Sequence, residues 1–219
     1  MIRIENLKKR YSSDFTLDIP ALSIAPGERV ALIGPNGSGK STLLRILAGV
    51  LKPEEGKIGI SVPEKDTGYQ PQNPYVFRGT VEKNLRLGMR GDEDIAALLE
   101  ECELTALKDK RADRLSGGER QRLCLARMLA GNYKLLLLDE PLSAADIETG
   151  ERLSLLLKRY CENTGATLVM STHLPVQAQQ IATKYLILYK GQVAEYGDAA
   201  TLSAPESEFG KRFLSQWKI

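Results

Sequence analysis

The sequence predicts an α/β domain with a mostly parallel sheet. Three observations point there. A β-rich run, Glu28 to Ile33, feeds a glycine-rich loop, Gly34 to Ser41, that opens a helical stretch. Four consecutive leucines, Leu135 to Leu138, make the short unbroken apolar run of a strand buried on both faces. Strand-like and helix-like segments then alternate, the order that lays helices over a parallel sheet.

The elements follow in chain order. Met1 to Leu7 and Phe15 to Ile19 alternate apolar and polar residues, as half-buried strands do, and Pro26-Gly27 marks a turn. Lys40 to Val50 has helical apolar spacing, with no breaker before Gly49. Residues 52–72, rich in Gly, Pro and charge, read as a short hairpin and loop. Leu85, Leu87, Ile95, Leu98, Leu99, Leu104 and Leu107 indicate a small helical insert, and a helix follows Ser116-Gly117-Gly118. A further helix is expected over Asp146 to Cys161, and further strands at Thr167 to Ser171 and Tyr185 to Tyr189. Residues from about Thr201 read as helical and peripheral.

Composition narrows the function. The chain has 219 residues, enough to bury a sizeable core, and its 30 basic and 28 acidic residues leave a net charge of only +2. No global field favours nucleic acid or an anionic membrane, so no nucleic-acid partner is expected. Cys102, Cys124 and Cys161 are odd in number and lack the Cys-x-x-Cys spacing of a zinc or redox motif, which suits reduced thiols in a cytoplasmic protein. No apolar run approaches the length that spans a bilayer, so any membrane role must come through a partner chain.

Three segments carry chemistry. Gly34-Pro35-Asn36-Gly37-Ser38-Gly39-Lys40-Ser41 fits the phosphate-loop pattern at every fixed position. Glycines let the backbone approach oxygen atoms closely, and amides of Gly37 to Ser41 at a helix N-terminus can face phosphates. Lys40 offers a full positive charge, and the Ser41 hydroxyl suits Mg²⁺. Asp139 and Glu140 follow the leucine run, at the strand end where α/β sheets hold their ligands. There Asp139 suits a water-mediated Mg²⁺ contact and Glu140 could polarise an attacking water. His173, the sole histidine, follows the next expected strand and could reach the same site.

The ordered set resembles the nucleotide-binding subunit of ATP-binding-cassette (ABC) transporters. The resemblance runs from about Met1 to Gly197 and rests on the phosphate loop Gly34 to Thr42, Gln72 in Pro71-Gln72-Asn73-Pro74, and Leu115-Ser116-Gly117-Gly118-Glu119-Arg120-Gln121. It continues through Leu135 to Pro141, the turn Ser143-Ala144-Ala145-Asp146, and His173. It implies a P-loop NTPase core with an N-terminal antiparallel β-subdomain and a small helical (signature) subdomain at approximately 73–131, all within a single ABC ATPase domain, 1–219. By the same resemblance, Tyr11 stacks on adenine. Gln72 senses Mg²⁺ and the attacking water, Glu140 is the general base, and His173 contacts the γ-phosphate. Ser41, Gln72 and Asp139 are the metal-side residues. Ser116, Gly117, Gly118 and Glu119 form the signature that meets the ATP of a partner subunit, and Asp146 communicates across the dimer.

Two departures stand out: Leu174 where many relatives carry an acid, and Asn132-Tyr133 in place of a common Asp-Pro. The resemblance further implies ATP and Mg²⁺ as ligands, a homodimer or a heterodimer with another ABC subunit, and a transmembrane permease subunit. The last would dock near Gln72 to Gly88, around Tyr75, Val76 and Phe77, although core packing would equally explain these apolar groups. The chain would be peripheral on the inner face of the cell membrane. The expected activity is ATP hydrolysis coupled to solute transport. Arg111-Ala112-Asp113-Arg114 before the signature, and the stretch after His173, favour uptake, with a substrate-binding protein as a possible further partner. Gln72 to Thr80 has an exporter flavour. A non-transport ABC ATPase or an exporter subunit is the alternative.

Overall fold

The computed structural model describes residues 1–12, 15–91 and 94–217. Residues 92–93, inside the expected helical insert, and 218–219, the end of the expected 1–219 domain, lie outside the described residues, as do 13–14.

One nine-stranded sheet organises the described chain, in the order β4-β1-β2-β9-β8-β3-β7-β6-β5. Its centre is parallel: β5 (Thr67–Gln70), β6 (Leu135–Asp139), β7 (Thr167–Ser171), β3 (Arg29–Ile33) and β8 (Lys184–Tyr189). β9 (Gln192–Asp198) pairs antiparallel with β8. β1 (Ile2–Ser12) pairs antiparallel with both β2 (Phe15–Ile24) and β4 (Glu55–Ile60).

The expected hairpin at 52–72 is not formed. Its two strands, β4 and β5, lie at opposite ends of the sheet, although residues 61–66 alone join them. Seven Cα steps reach at most roughly 25 Å. Nine strands laid flat would put the two edges roughly 38 Å apart. The sheet must therefore curl, and helix α1 (Lys40–Leu47) fills the hollow. Leu43, Leu44, Ile46 and Leu47 of α1 share one buried cluster with Ile2 and Ile4 of β1, Leu17 and Ile19 of β2, and Leu135 and Leu137 of β6.

The leucine run behaves as its composition demands. Leu135 and Leu137 face α1, whereas Leu136 and Leu138 face a second cluster built from α4 (Gly117–Leu129) and α5 (Ile147–Thr164). That cluster also takes in Val81 and Leu85 of α2 (Val81–Arg86) and Leu99 of α3 (Ile95–Glu101), the helices of the insert. Gly68 explains why β5 joins the core with so few apolar residues. A Cβ there would lie 2.4 Å from Met128 Cε and 2.7 Å from the Tyr133 ring.

A third cluster joins β3 and β8 to α6 (Pro175–Ile181) and α7 (Glu208–Leu214). Phe209 of α7 stacks on Tyr189 at 3.9 Å between centroids. Glu195 of β9 anchors this end. It accepts hydrogen bonds from the Tyr185 hydroxyl, from the Glu206 and Ser207 amides at 2.9 Å, and from the Ser207 hydroxyl. Burial alone would raise its carboxyl, but those donors outweigh burial and hold it below the usual range.

Losing these charge-assisted bonds should cost about 2 kcal/mol in Glu195→Ala, read as a lower urea midpoint at unchanged slope. A depressed folded-state pKa stabilises above the unfolded carboxylate range, and that contribution vanishes as pH falls through the folded value. The stability gap between wild type and variant should therefore narrow in acid.

Candidate active site

The phosphate loop is shaped by what lies behind it. Gly34 sits at φ 150°, and a Cβ there would fall 2.2 Å from the Leu188 carbonyl oxygen of β8 and 2.9 Å from Ser38 Oγ. Only glycine can leave β3 by this route. The Gly191 amide donates to the Ser38 carbonyl at 3.1 Å, so the β8–β9 turn holds the loop. Gly39, at φ 108°, is the N-cap of α1 and offers no side-chain acceptor. The first amides of α1 thus remain available to an anion.

Lys40 is buried with its Nζ donating to the Gly34 carbonyl at 2.8 Å and the Pro35 carbonyl at 3.1 Å. Burial lowers its pKa, and the negative charges of Glu140 and Asp139 pull the other way. An ammonium has three donors, so this one has capacity for another acceptor.

Asp139 and Glu140 close β6. Asp139 is 1% exposed; its Oδ1 accepts from the Ser171 hydroxyl at 2.6 Å, and its Oδ2 is buried with no protein partner. Glu140 adopts φ 50°, a left-handed conformation unusual for a side-chain-bearing residue. Its amide donates to Ser171 Oγ at 2.9 Å, and its carbonyl accepts from Gln121 Nε2 at 2.6 Å. Two expected site residues converge on its carboxylate. Gln72 Nε2 donates to Glu140 Oε2 at 3.1 Å, and His173 Nδ1 lies 3.7 Å from the same oxygen.

Glu140, Gln72 and Lys40 share a cavity of about 540 Å³, whose lining does not include Asp139 or His173. Asn36 to Thr42, Gln72, Glu140 and Tyr11 line it, together with Phe15 and Arg45. The last two escaped the sequence reading. Arg45 stands one helical turn beyond Ser41, which puts both on one face of α1 and was a usable signal. Phe15 is cross-strand from Ser12, beside Tyr11. Ser171 and Gln121 were also missed, because their roles depend on tertiary placement.

Ser116 to Glu119 do not line this cavity. Ser116 caps α4 in a reciprocal capping box: its hydroxyl accepts from the Glu119 amide at 3.3 Å, and its own amide donates to Glu119 Oε2 at 2.8 Å. That amide, with Lys110 3.1 Å away, holds the Glu119 carboxyl below its usual range. Ser116 and Gly117 are exposed at the helix end. Gly118 packs on the 143–145 turn, where a Cβ would meet the Ala144 carbonyl at 2.9 Å. Asp146 caps α5 by accepting from the Thr149 amide at 2.9 Å, which lowers its carboxyl pKa.

A glycine cradle on a helix N-terminus, a buried lysine beneath it and adjacent carboxylates at the end of a parallel strand define a phosphate-loop nucleotide hydrolase. Residues 17–143 match the family model described as ABC transporter. The chain is 38% identical to the sulfate/thiosulfate import ATP-binding protein CysA of Thermosynechococcus vestitus, over 97% of this chain and 69% of that protein. It is 35% identical to CysA of Pseudomonas putida, over 97% and 71%. The dimeric ATP-binding cassette MJ0796, in a post-hydrolysis state with ADP and Pi, superposes at a TM-score of 0.78 with 29% identity, over 91% of this chain and 99% of that one. An ATP-bound bacterial Atm1-family ABC exporter gives 0.84 with 25% identity, over 98% and 41%. The chain belongs to the ABC transporter family, as an ATP-binding and ATP-hydrolysing subunit.

The donor set fits a metal–nucleotide substrate. Ser38 Oγ and Asp139 Oδ2 are both buried without protein partners. Among the described residues no cluster of three His, Cys, Asp or Glu could cage a metal. Mg²⁺ does not need such a cage, since it binds through one or two oxygen side chains, water and substrate phosphates.

Gly34→Ala should destabilise the protein by about 1–3 kcal/mol, because the added Cβ meets backbone. Scanning calorimetry should show Tm lower by roughly 2–10 °C. The rise in Tm produced by ATP should shrink as well.

Proposed function

We propose that this chain is the ATPase subunit of an uptake transporter, working as a pair that encloses two ATP molecules. The observation that carries the site assignment is the convergence of Gln72 and His173 on Glu140, whose side chain lines the same cavity as the phosphate loop. Lys40 and the Gly37 to Thr42 amides would hold the phosphates, with Gly34, Pro35, Asn36, Ser38 and Gly39 shaping the cradle. Tyr11 would supply the ring surface for adenine. Ser41, Gln72 and Asp139 would hold Mg²⁺, whose chemistry is to neutralise charge on the phosphate oxygens.

Glu140 takes the proton from the attacking water, Gln72 fixes the direction of its carboxylate, and His173 reaches the terminal phosphate. Catalysis is then chiefly positioning and electrostatic stabilisation. Ser116 and Gly117, exposed at the end of α4 and away from their own cavity, with Gly118 half-buried beside them, suit contact with the nucleotide of the partner subunit. Glu119 shapes that turn through the capping box, and Asp146, exposed beside it, faces the dimer.

The membrane partner is a transmembrane permease. Among the described residues no helix is long and apolar enough to cross a membrane. Tyr75 is 66% and Phe77 45% exposed, in edge-to-face contact at 5.2 Å, whereas Val76 packs on the core. Exposure of the two aromatics favours docking of a permease helix over a purely structural role. In this reading the subunit sits peripherally on the inner face of the membrane. The importer names of the relatives support uptake over export.

Glu140→Gln should cut ATP turnover at least about a hundredfold, while equilibrium ATP binding and ATP-dependent dimerisation persist. Turnover at the wild-type rate would sink the assignment. In Ser116→Arg, ATP binding by a single subunit should survive, but size-exclusion chromatography with ATP should show no dimer and turnover should vanish.

A further inference from the structure

Ser171 ends β7 with a fully buried side chain, and the β6–β7 register sets it directly across from Asp139. Its hydroxyl is used twice, accepting from the Glu140 amide at 2.9 Å and reaching Asp139 Oδ1 at 2.6 Å. An amide can only donate. The single hydroxyl proton is therefore committed to the carboxylate. This fixes which way Asp139 points: Oδ1 is occupied, and Oδ2 is left buried and without a protein partner. The same hydroxyl steadies the Glu140 backbone at φ 50°, a conformation a glutamate does not hold by preference.

One side chain thus sets two neighbouring groups whose tasks differ. It fixes the orientation of the Asp139 carboxylate and holds the backbone of Glu140. Removing the oxygen would leave the Glu140 amide without its acceptor and allow Asp139 to rotate. Packing of the strand would persist, since Leu138, Asp139 and their partners Met170 and Ser171 remain held by the ladder.

We propose that Ser171 is a positioning residue of the hydrolytic site, aiming the open oxygen of Asp139 at the nucleotide-bound Mg²⁺ and seating Glu140. This rests on the reading of Asp139 as the carboxylate that faces the metal. Outer partners of metal-side groups are typically worth about 10–100-fold in metal affinity.

The test is equilibrium binding of a fluorescent ATP analogue to the full chain, with Mg²⁺ and with a chelator. In wild type, Mg²⁺ should tighten binding. Ser171→Ala should lose about tenfold or more of that tightening, while its metal-free affinity stays at the wild-type value. Ser171→Cys keeps bulk but has only a weak S–H donor, and should behave the same way. Wild-type tightening in either variant overturns the proposal. So does an equal loss of affinity with and without Mg²⁺, which would mark Ser171 as a packing residue. Asp139→Asn separates the two layers. If it loses the tightening while Ser171→Ala keeps it, the Asp139 reading stands and the Ser171 assignment falls. If it keeps the tightening, the Asp139 reading itself falls.

Discussion

The site depends on one short connection. Residues 61–66 must carry the chain from one end of a nine-stranded sheet to the other, and they are too few to cross it flat. The sheet curls, and the hollow encloses α1 on apolar side chains from both its halves. Because α1 is enclosed, its N-terminus is fixed relative to the ends of β3, β6 and β7. A loop that must meet phosphate oxygens within a few tenths of an ångström gains its accuracy from that enclosure more than from its own few hydrogen bonds.

Charge at the site is arranged around a similar economy. Lys40, Asp139 and Glu140 occupy one small, largely buried region, and each has a partner that leaves it incomplete. Lys40 rests on two carbonyls, Asp139 on one hydroxyl, and Glu140 on an amide and a distant imidazole. None is locked in an ion pair that substrate would have to break. A phosphate-loop enzyme relies on such preorganisation, since charge that is already oriented needs little rearrangement when phosphate arrives.

Much of the fold is visible in the sequence where apolar pattern and burial coincide. Thr167–Ser171 forms the expected strand, and the four leucines are buried on both faces. α1 ends at Leu47, before the expected Val50, because the chain turns at Gly49 with φ 71°. The failures are equally physical. β5 reads as loop because its place in the core is secured by the absence of a side chain at Gly68, against Met128 and Tyr133. β9 carries Glu195 and Gly197 where a strand pattern would want apolar residues, and the partners of Glu195 are Tyr185 and the segment just before α7. The phosphate loop and the acidic end of β6 are legible by pattern, and Gln72 and the 115–121 stretch only through the family resemblance. The contacts of Ser171 and Gln121 with Glu140, and the place of Phe15 in the cavity wall, are not legible, since the folded sheet alone supplies them.

β3 has a further consequence, for the order in which the protein comes into being. Its residues, 29–33, lie between β7 at 167–171 and β8 at 184–189. The strand that launches the phosphate loop therefore has no sheet neighbour until the ribosome has made more than 130 further residues, which takes roughly 7–30 s. Until then the loop lacks the β8 carbonyl behind Gly34 and the Gly191 amide on Ser38. A nascent or interrupted chain holds the motif without the cradle, so nucleotide cannot reward an unfinished fold.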